Sequence, residues 1–321
     1  MDKQPVNEQP VIPPLGGRVS VRYRERDGVA TDVIGRLIAG PPRIAVRTPA
    51  GEVTIIPDDV LAVRELSHRP VRNSEIRALE HAAALAWPGI ERHWHRGWLL
   101  RAGDDTTSRG NSAVPLDFSA AVSDIAAIAE WYSHRGLEPW LAVAERLLPL
   151  RAAGIKRTRV MVREIADGPA REPDRGDVRL LDRPDAAWLA GYGRDVPVAE
   201  LTSVVDGEVV FARLGDVAVG RGAVTATPDG TRWLGISSVA VSDDHRRRGH
   251  GRLLCERLAA WGAARGARRS YVQVLTDNEP AGALYASLGF GLHHHARYLD
   301  ARRLLESGGR SRGARGHNLY P

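Results

Sequence analysis

The chain has 321 residues, of which 43% are hydrophobic and 26% charged, and its formal net charge is +6. This composition is typical of a globular protein of about two domains. No run of about 18 apolar residues occurs, so no transmembrane helix is predicted, and residues 1–14 lack the apolar segment of a secretory signal. The single cysteine, Cys255, cannot form an internal disulfide, which indicates a cytoplasmic location.

The N-terminal region divides into a proline-rich lead-in and a β-rich segment. Residues 1–14 are predicted to be disordered. Val19, Val21 and Tyr23 then alternate with polar residues, which is typical of a half-buried strand. Further short runs follow, cut by glycine and proline, and together they predict a small β-barrel over residues 15–68. The pattern resembles a Src-homology-three-like barrel.

The next segment mixes helical and strand patterns. A helix is predicted from Ser74, a strand from Trp98, and an amphipathic helix that Gly136 closes. A further helix is predicted over residues 141–153, followed by a strand over residues 158–162. These elements predict an α/β middle segment.

The middle segment, residues 73–165, could be a degenerate copy of part of the last domain. Residues 130–137 (EWYSHRGL) resemble residues 283–290 (ALYASLGF). Chance is the alternative explanation, because short helices often end in glycine followed by an apolar residue. Residues 166–176 are rich in proline, glycine and charge, and are predicted to be a linker.

The last domain is predicted over residues 177–302, with an α/β pattern. Residues 211–214 and 217–224 are predicted to form an antiparallel pair, and a strand of low polarity follows over residues 233–241. A glycine-containing loop, a helix, a strand, a short helix and a final strand complete the domain. Residues 303–321 are predicted to be a basic, disordered tail.

The central motif is the loop that joins the strand over residues 233–241 to the next helix, with the sequence RRRGHG. The first N–H groups of a helix are unpaired and carry a partial positive charge, so a helix start binds phosphate or pyrophosphate. Gly249 and Gly251 let the backbone approach the oxygens closely. The loop matches neither the Rossmann G-x-G-x-x-G pattern nor the P-loop pattern.

A second motif makes the first one specific. A strand is followed by N-E-P-A-G-A-L-Y-A-S-L-G-F, which begins at Asn278 and ends at Phe290. At this point the sequence resembles the GNAT N-acetyltransferases. Their Q/R-x-x-G-x-G/A loop matches Arg246, Gly249 and Gly251, and their later motif matches Asn278, Ala281, Leu284, Tyr285, Gly289 and Phe290. The resemblance covers about 120 residues, and it implies a GNAT fold of the α/β (α+β) class.

The resemblance also implies acetyl-coenzyme A as the acyl donor, with no metal. Main-chain amides of the loop would bind the pyrophosphate, main-chain groups of the preceding strand would pair with the pantetheine arm, and an asparagine would hydrogen-bond that arm. Tyr285 would protonate the leaving thiolate, for which a phenol with a pKa near 10 is suitable. The implied cofactor-binding residues are Val239, Val241, Arg246, Arg247, Arg248, Gly249, His250, Gly251 and Asn278.

A general base is missing from the pattern. An amine of the lysine type has a pKa near 10.4, so a neutral nucleophile at pH 7 requires desolvation or a base. Many GNAT enzymes place a glutamate on the strand before the loop, but residues 233–241 contain no acid. His245, Glu208 and Asp206 are weak candidates. An acceptor with a lower pKa, such as an α-amine, would make a base unnecessary.

Two other groups of residues suggest chemistry but favour structural roles. His293, His294 and His295 are consecutive in a predicted strand, where neighbours point to opposite faces and three ligands cannot converge on a metal. Cys255 lies on the apolar side of a predicted helix and is interpreted as a buried thiol.

The sequence therefore predicts acetyl transfer to an amine by direct attack in a ternary complex. One alternative is a non-catalytic, regulatory protein that binds acyl-coenzyme A. Another is a module in which the barrel and basic tail bind nucleic acid or protein. No membrane partner is predicted. The acceptor, a small molecule or a protein, and the oligomeric state stay open.

Overall fold

A computed structural model describes residues 12–306, except for residues 14, 68, 151, 153 and 166–177. The chain forms two compact units, which divide after residue 70. The predicted linker and nearly all of the predicted lead-in and tail lie outside the described residues. None of the described helices is long and apolar enough to cross a membrane.

The first unit is a five-stranded antiparallel sheet in the order β4-β3-β2-β1-β5. The alternation in β1 predicted its buried face: Val19 and Val21 are fully buried, and they pack with Leu37 and Val46. Register is continuous from β2 to β1 over seven residue pairs. The strands are β1 Arg18–Arg24, β2 Ala30–Ala39, β3 Ile44–Thr48, β4 Gly51–Ile55 and β5 Val60–Leu66.

The second unit is built on one eleven-stranded mixed sheet, in the order β11-β12-β13-β14-β15-β10-β16-β9-β8-β7-β6. Its strands are β6 Glu91–His95, β7 Trp98–Ala102, β8 Ala113–Pro115, β9 Trp140–Ala144, β10 Ile155–Glu164, β11 Val178–Leu181, β12 Glu208–Leu214, β13 Ala218–Ala226, β14 Arg232–Val241, β15 Arg269–Leu275 and β16 Gly291–Asp300. Its helices are α1 Asn73–Ala86, α2 Ile125–Ser133, α3 Ala186–Tyr192, α4 Val198–Thr202, α5 His250–Ala263 and α6 Glu279–Ser287.

The predicted antiparallel pairing near residue 214 is confirmed, since β12 and β13 pair in continuous register from Glu208 with Val224 to Leu214 with Ala218. The predicted helix over residues 141–153 is wrong. Residues 140–144 form β9, which pairs with β16 on one side and is parallel to β8 on the other. A short apolar run fits either state by pattern alone, and here the two flanking strands decide it.

Strand β10 joins the middle segment to the last domain. It lies between β15 and β16 and is antiparallel to both. Residues 155–164 therefore complete the sheet of the following domain, although they precede the predicted linker in sequence. At the other end, residues 301–306 are helical and Ala301 is fully buried, so ordered structure extends beyond residue 302, where the tail was predicted to begin.

The middle segment shares a topology with the last domain. Strands β8 and β9 are parallel neighbours connected through α2, as β14 and β15 are connected through α5. The sequence similarity instead relates α2 to α6, because both helices end in the same turn. Leu137 N–H donates to the Tyr132 carbonyl at 3.1 Å, and Phe290 N–H donates to the Tyr285 carbonyl at 3.0 Å. A degenerate GNAT-like middle segment stays a prediction.

Helices α1 and α5 cover opposite faces of the sheet. Successive residues of a strand face opposite sides, and in β14 Leu234 packs in the core under α5 whereas Trp233 packs with Leu79 of α1. Thr225 donates from its hydroxyl to the Ala82 carbonyl at 2.7 Å, which fixes α1 across β13. The face of the sheet under α1 is therefore bounded by residues of the middle segment, which contains α1, and of the last domain, which contains β13 and β14.

Candidate active site

Strands β14 and β15 form a split in the middle of the sheet. They are parallel neighbours only where residues 233–235 pair with residues 269–271. Strand β14 continues for six more residues, to Val241, and β15 continues for four more, to Leu275. Beyond residue 235 this edge of β14 has no strand partner among the described residues. Free main-chain groups on such an edge can pair with an extended ligand.

The side chain of Tyr271 marks the point where the two strands separate. A β-carbon on Gly235 would lie 2.3 Å from the Tyr271 hydroxyl, so only glycine fits at this position. Tyr271 is buried, and burial raises the pKa of its phenol to about 12. Opposite Gly220, β14 also carries an extra residue, and Ser238 there has a positive φ of 53°. Bulges of this kind bend a strand and re-aim its groups.

The loop between β14 and α5 presents a row of unpaired amides. Arg247 and Gly249 have positive φ values of 59° and 88°. Gly249 is the N-cap of α5, no side chain caps this helix, and the amides of residues 247–252 have no acceptor in the described part of the chain. A β-carbon on Gly249 would meet nothing within 4 Å, so the space beside this residue is open. This geometry is suited to a phosphate or pyrophosphate.

The two sequence motifs lie against each other. A β-carbon on Gly251 would lie 3.1 Å from Leu284 Cδ2, so α5 and α6 are in close contact. Arg252 donates to the Ser287 carbonyl at 3.1 Å and to its hydroxyl at 2.9 Å. The loop motif at the start of α5 and the second motif on α6 therefore lie next to each other.

The charged residues of the loop differ in their partners. Arg246 forms an ion pair with Asp243 at 2.6 Å and donates to the Val241 carbonyl at 3.4 Å. Arg247 and Arg248 are exposed. His250 is half-buried, with its ring centroid 6.1 Å from that of His245.

Tyr285 lies on α6 with its ring buried, 8% exposed, and packed edge-on to Phe290. None of the described residues accepts a hydrogen bond from its hydroxyl. Burial raises the pKa of this phenol, so it is protonated throughout the physiological range. Asn278 caps α6: its side-chain oxygen accepts from Ala281 N–H at 3.1 Å, which leaves its amide NH₂ free to donate.

Two adjoining cavities lie between the split and α1. Arg109, Gln273 and Ala83 line both of them. Glu80 and Arg101 line the first cavity, whereas the second is bounded by groups that include Trp87 and Ser237. Ser237 belongs to β14 and lies two residues past Gly235, the last residue of that strand paired with β15. The second cavity therefore lies beside the edge of β14 that has no strand partner among the described residues.

Comparison with known proteins identifies the family. A family model described as "Probable histone acetyltransferase Rv0428c C-terminal" matches residues 73–299, and one described as "Rv0428c N-terminal Sm-like domain" matches residues 13–64. The chain is 50% identical over 297 residues to "Probable histone acetyltransferase Rv0428c" of Mycobacterium tuberculosis, covering 90% of this chain and 96% of the relative. The chain belongs to the Rv0428c acetyltransferase family.

This membership confirms the predicted GNAT acetyltransferase class. It also confirms the small N-terminal β-domain, which the family describes as Sm-like where the sequence suggested an SH3-like barrel. The chain is 26% identical over 254 residues to "Uncharacterized N-acetyltransferase YobR" of Bacillus subtilis, covering 70% of this chain and 98% of that protein.

The solved structures that match this chain include two bacterial proteins. A GCN5-related N-acetyltransferase from Kribbella flavida has 18% identity and a TM-score of 0.48, and covers 72% of this chain and 95% of its own. A protein from Novosphingobium aromaticivorans, titled "Putative Acetyltransferase from the GNAT family", has 22% identity and a TM-score of 0.47, and covers 68% of this chain and 95% of its own.

The three residues that the sequence offered as general bases do not line either of the two cavities. Glu208 begins β12 and forms an ion pair with Arg265 at 2.7 Å, at the end of the sheet opposite the split. Asp206 lies in the turn just before β12. His245 lies in the turn before the loop, where its Nδ1 is 3.0 Å from the Ser242 hydroxyl.

The carboxylate that does line a cavity is Glu80, which sequence reasoning missed. Its Oε1 lies 2.9 Å from His294 Nε2, and both side chains are buried. His294 and His293 were predicted to face opposite sides of a strand, which is wrong at this point. Residue 293 is the extra residue of a bulge in β16, and the two Nδ1 atoms lie 2.8 Å apart.

Proposed function

We propose that this protein transfers an acetyl group from acetyl-coenzyme A to an amine, by direct attack within a ternary complex. The observation that carries the proposal is the split between β14 and β15, which opens directly beside the unpaired amides at the start of α5. An extended arm that ends in phosphates fits this combination, because a strand edge and a helix start lie side by side.

The loop before α5, the strand β14 and Asn278 at the start of α6 bind the acetyl donor. The amides from Arg247 to Gly251 bind the pyrophosphate, and the side chains of Arg246, Arg247, Arg248 and His250 add positive charge and donors around it. Main-chain groups of Val239 and Val241 pair with the pantetheine arm. Asn278 donates its free NH₂ to the same arm while its oxygen keeps the helix capped.

Tyr285 acts as the general acid. Acetyl-coenzyme A supplies a reactive thioester, and the thiolate that leaves needs a proton. The Tyr285 hydroxyl donates to none of the described residues, and burial raises the pKa of its phenol, so the group is protonated and its proton is available to the thiolate as the C–S bond breaks. The C–N bond forms as the C–S bond breaks, Tyr285 protonates sulfur, and solvent returns a proton to the phenolate.

Glu80 takes the proton from the acceptor. It is a carboxylate that lines the first cavity, and its contact with His294 at 2.9 Å holds one of its oxygens in place. An amine arrives as an ammonium ion at pH 7, so this carboxylate both attracts it and deprotonates it.

The acceptor class has two candidates. The name of the Mycobacterium tuberculosis relative suggests a protein lysine, and the small size of the two cavities favours a small amine. Binding of nucleic acid through the N-terminal unit and the tail stays a prediction.

The direct test is calorimetric titration of the full chain with acetyl-coenzyme A, followed by measurement of coenzyme A release with a panel of amines. We expect saturable binding at one site per chain and amine-dependent release. Absence of binding would overturn the proposal. Binding with no release for any amine would leave the non-catalytic alternative.

A further inference from the structure

Arg109 lines both cavities beside the split, which together form the candidate acceptor site, and it has no anionic partner among the described residues. It is half-buried, and its guanidinium lies 5.3 Å from the centre of the Trp87 ring. The loop that carries it, residues 103–112, is fixed by its own hydrogen bonds, such as Asn111 Nδ2 to the Thr107 carbonyl at 2.8 Å. Arg109 is therefore held in place before any ligand binds.

Two further guanidinium groups lie near Arg109 in the interior, and both are satisfied by neutral acceptors. Arg101 donates to the Trp87 carbonyl at 3.1 Å and to the Ser112 carbonyl at 3.2 Å. Arg221 donates to the Leu201 carbonyl at 2.7 Å and to the Ala86 carbonyl at 2.9 Å. Carbonyl groups satisfy hydrogen bonds but do not cancel a full charge.

The nearby carboxylates do not balance these three cations. Glu80 is engaged by His294, and Glu200 accepts from Trp87 Nε1 at 2.8 Å and from the Thr107 hydroxyl. Arg297, which also lines the first cavity, is paired with Glu145 at 4.0 Å. The remaining three guanidinium groups against two carboxylates leave a positive excess. Buried charges are costly unless they are paired, so the site is electrostatically suited to an anionic group on a ligand.

A second observation points to a ligand at the same place. The Ser237 hydroxyl lies in the second cavity, is buried, and has no hydrogen-bond partner in the described part of the chain. Buried polar atoms are almost always paired in folded proteins. Ser237 lies on β14 past the last residue paired with β15, and it lines the same cavity as Arg109.

We propose that the acceptor is a small amine that carries an oxyanion, a carboxylate or a phosphate, which Arg109 binds in a fork-like pair while Ser237 completes its hydrogen bonds. This inference rests on the proposed acetyl transfer. A guanidinium matches both oxyanions with two parallel hydrogen bonds. A lysine-rich protein segment is disfavoured, because it brings its ammonium group without an oxyanion to offset the positive excess of the cavities.

The test compares matched acceptors at saturating acetyl-coenzyme A with the full chain. α-Amino acids are compared with their carboxamides, phosphoethanolamine with ethanolamine, and a lysine-rich peptide serves as the competing class. Arg109→Gln and Arg109→Lys are assayed beside Arg92→Gln, a control at an exposed arginine of the edge strand β6. Coenzyme A release gives kcat and KM, and calorimetry gives the affinity for acetyl-coenzyme A.

We expect one oxyanion class to exceed its neutral partner by about 10–100-fold in kcat/KM, the range for a charge-assisted pair. Arg109→Gln should remove that preference by raising KM for the anionic acceptor alone, with unchanged affinity for acetyl-coenzyme A. Preference for the amides, for ethanolamine or for the peptide would overturn the inference. Acetyl-coenzyme A binding with no turnover of any anionic amine would do the same and leave the donor site intact. Loss of acetyl-coenzyme A binding in the unaltered chain would instead overturn the proposed function.

Discussion

Substitution of Gly249 by alanine tests the donor site with a control that the chain itself supplies. Gly249 has φ +88°, Gly230 has φ +83°, and a β-carbon at either position would meet nothing within 4 Å. The left-handed conformation costs an L-residue about 1–2 kcal/mol, and the reduced entropy of the unfolded chain offsets about 0.4–1 kcal/mol of that. Both variants should therefore lose about 1 kcal/mol of stability and about 2–4 °C in Tm.

Only the Gly249 variant should lose affinity for acetyl-coenzyme A. Gly230 lies in the turn before β14, and the ten-residue strand separates that turn from the loop by roughly 30 Å. A methyl group at Gly249 adds bulk among the amides that are proposed to bind the pyrophosphate, so one or two charge-assisted hydrogen bonds of about 1.5–3 kcal/mol would be lost. Calorimetry should show Kd about 10–100-fold higher for Gly249→Ala and unchanged for Gly230→Ala. Equal Kd values for the two variants would refute the assignment of this loop to the pyrophosphate.

Three further measurements test the chemistry. Tyr285→Phe should lower kcat by about 10²–10⁴-fold. The factor should be the same from pH 6 to pH 9, because burial raises the pKa of the phenol and keeps it protonated over this range. A factor that vanishes at low pH would contradict the role of Tyr285 as the acid. Glu80→Gln should lower kcat/KM. The residual rate of this variant should rise about tenfold per pH unit from pH 7 to pH 9, since only the amine that is already neutral then reacts. A pH profile equal to that of the unaltered chain would exclude Glu80 as the base. Cys255 is fully buried and burial raises the pKa of its thiol to about 12, so a disulfide reagent at pH 8 should label the chain only after denaturant is added.

Local structure around the motifs could be predicted from sequence because short-range chemistry determines it. The strand predicted over residues 233–241 is β14, which begins one residue earlier. Gly249 precedes α5 in a left-handed conformation, as a glycine at a close approach predicts. Asn278 is the N-cap of α6, a position for which asparagine is strongly preferred.

The acceptor side could not be predicted, because distant segments meet there. Glu80 and His294 are 214 positions apart in sequence and make contact only through the packing of α1 on the sheet. Arg109 lies in a polar turn between two strands, and the sequence pattern does not show which distant residues this turn meets. The predicted helix over residues 141–153 was wrong for the same reason, since the strands that pair with β9 come from residues 113–115 and 291–300.

The donor site and the acceptor site are built from different parts of the chain. The donor groove and Tyr285 come from residues 233–290, whereas Arg109 reaches the same site from a loop in the middle segment that is held by its own hydrogen bonds. Because that loop is fixed by Thr107 and Asn111 rather than by the donor groove, residue 109 can change without disturbing the binding of acetyl-coenzyme A. Acceptor specificity should therefore follow the residue at position 109, and a protein that keeps the glycine loop but replaces this arginine should acetylate a different class of amine.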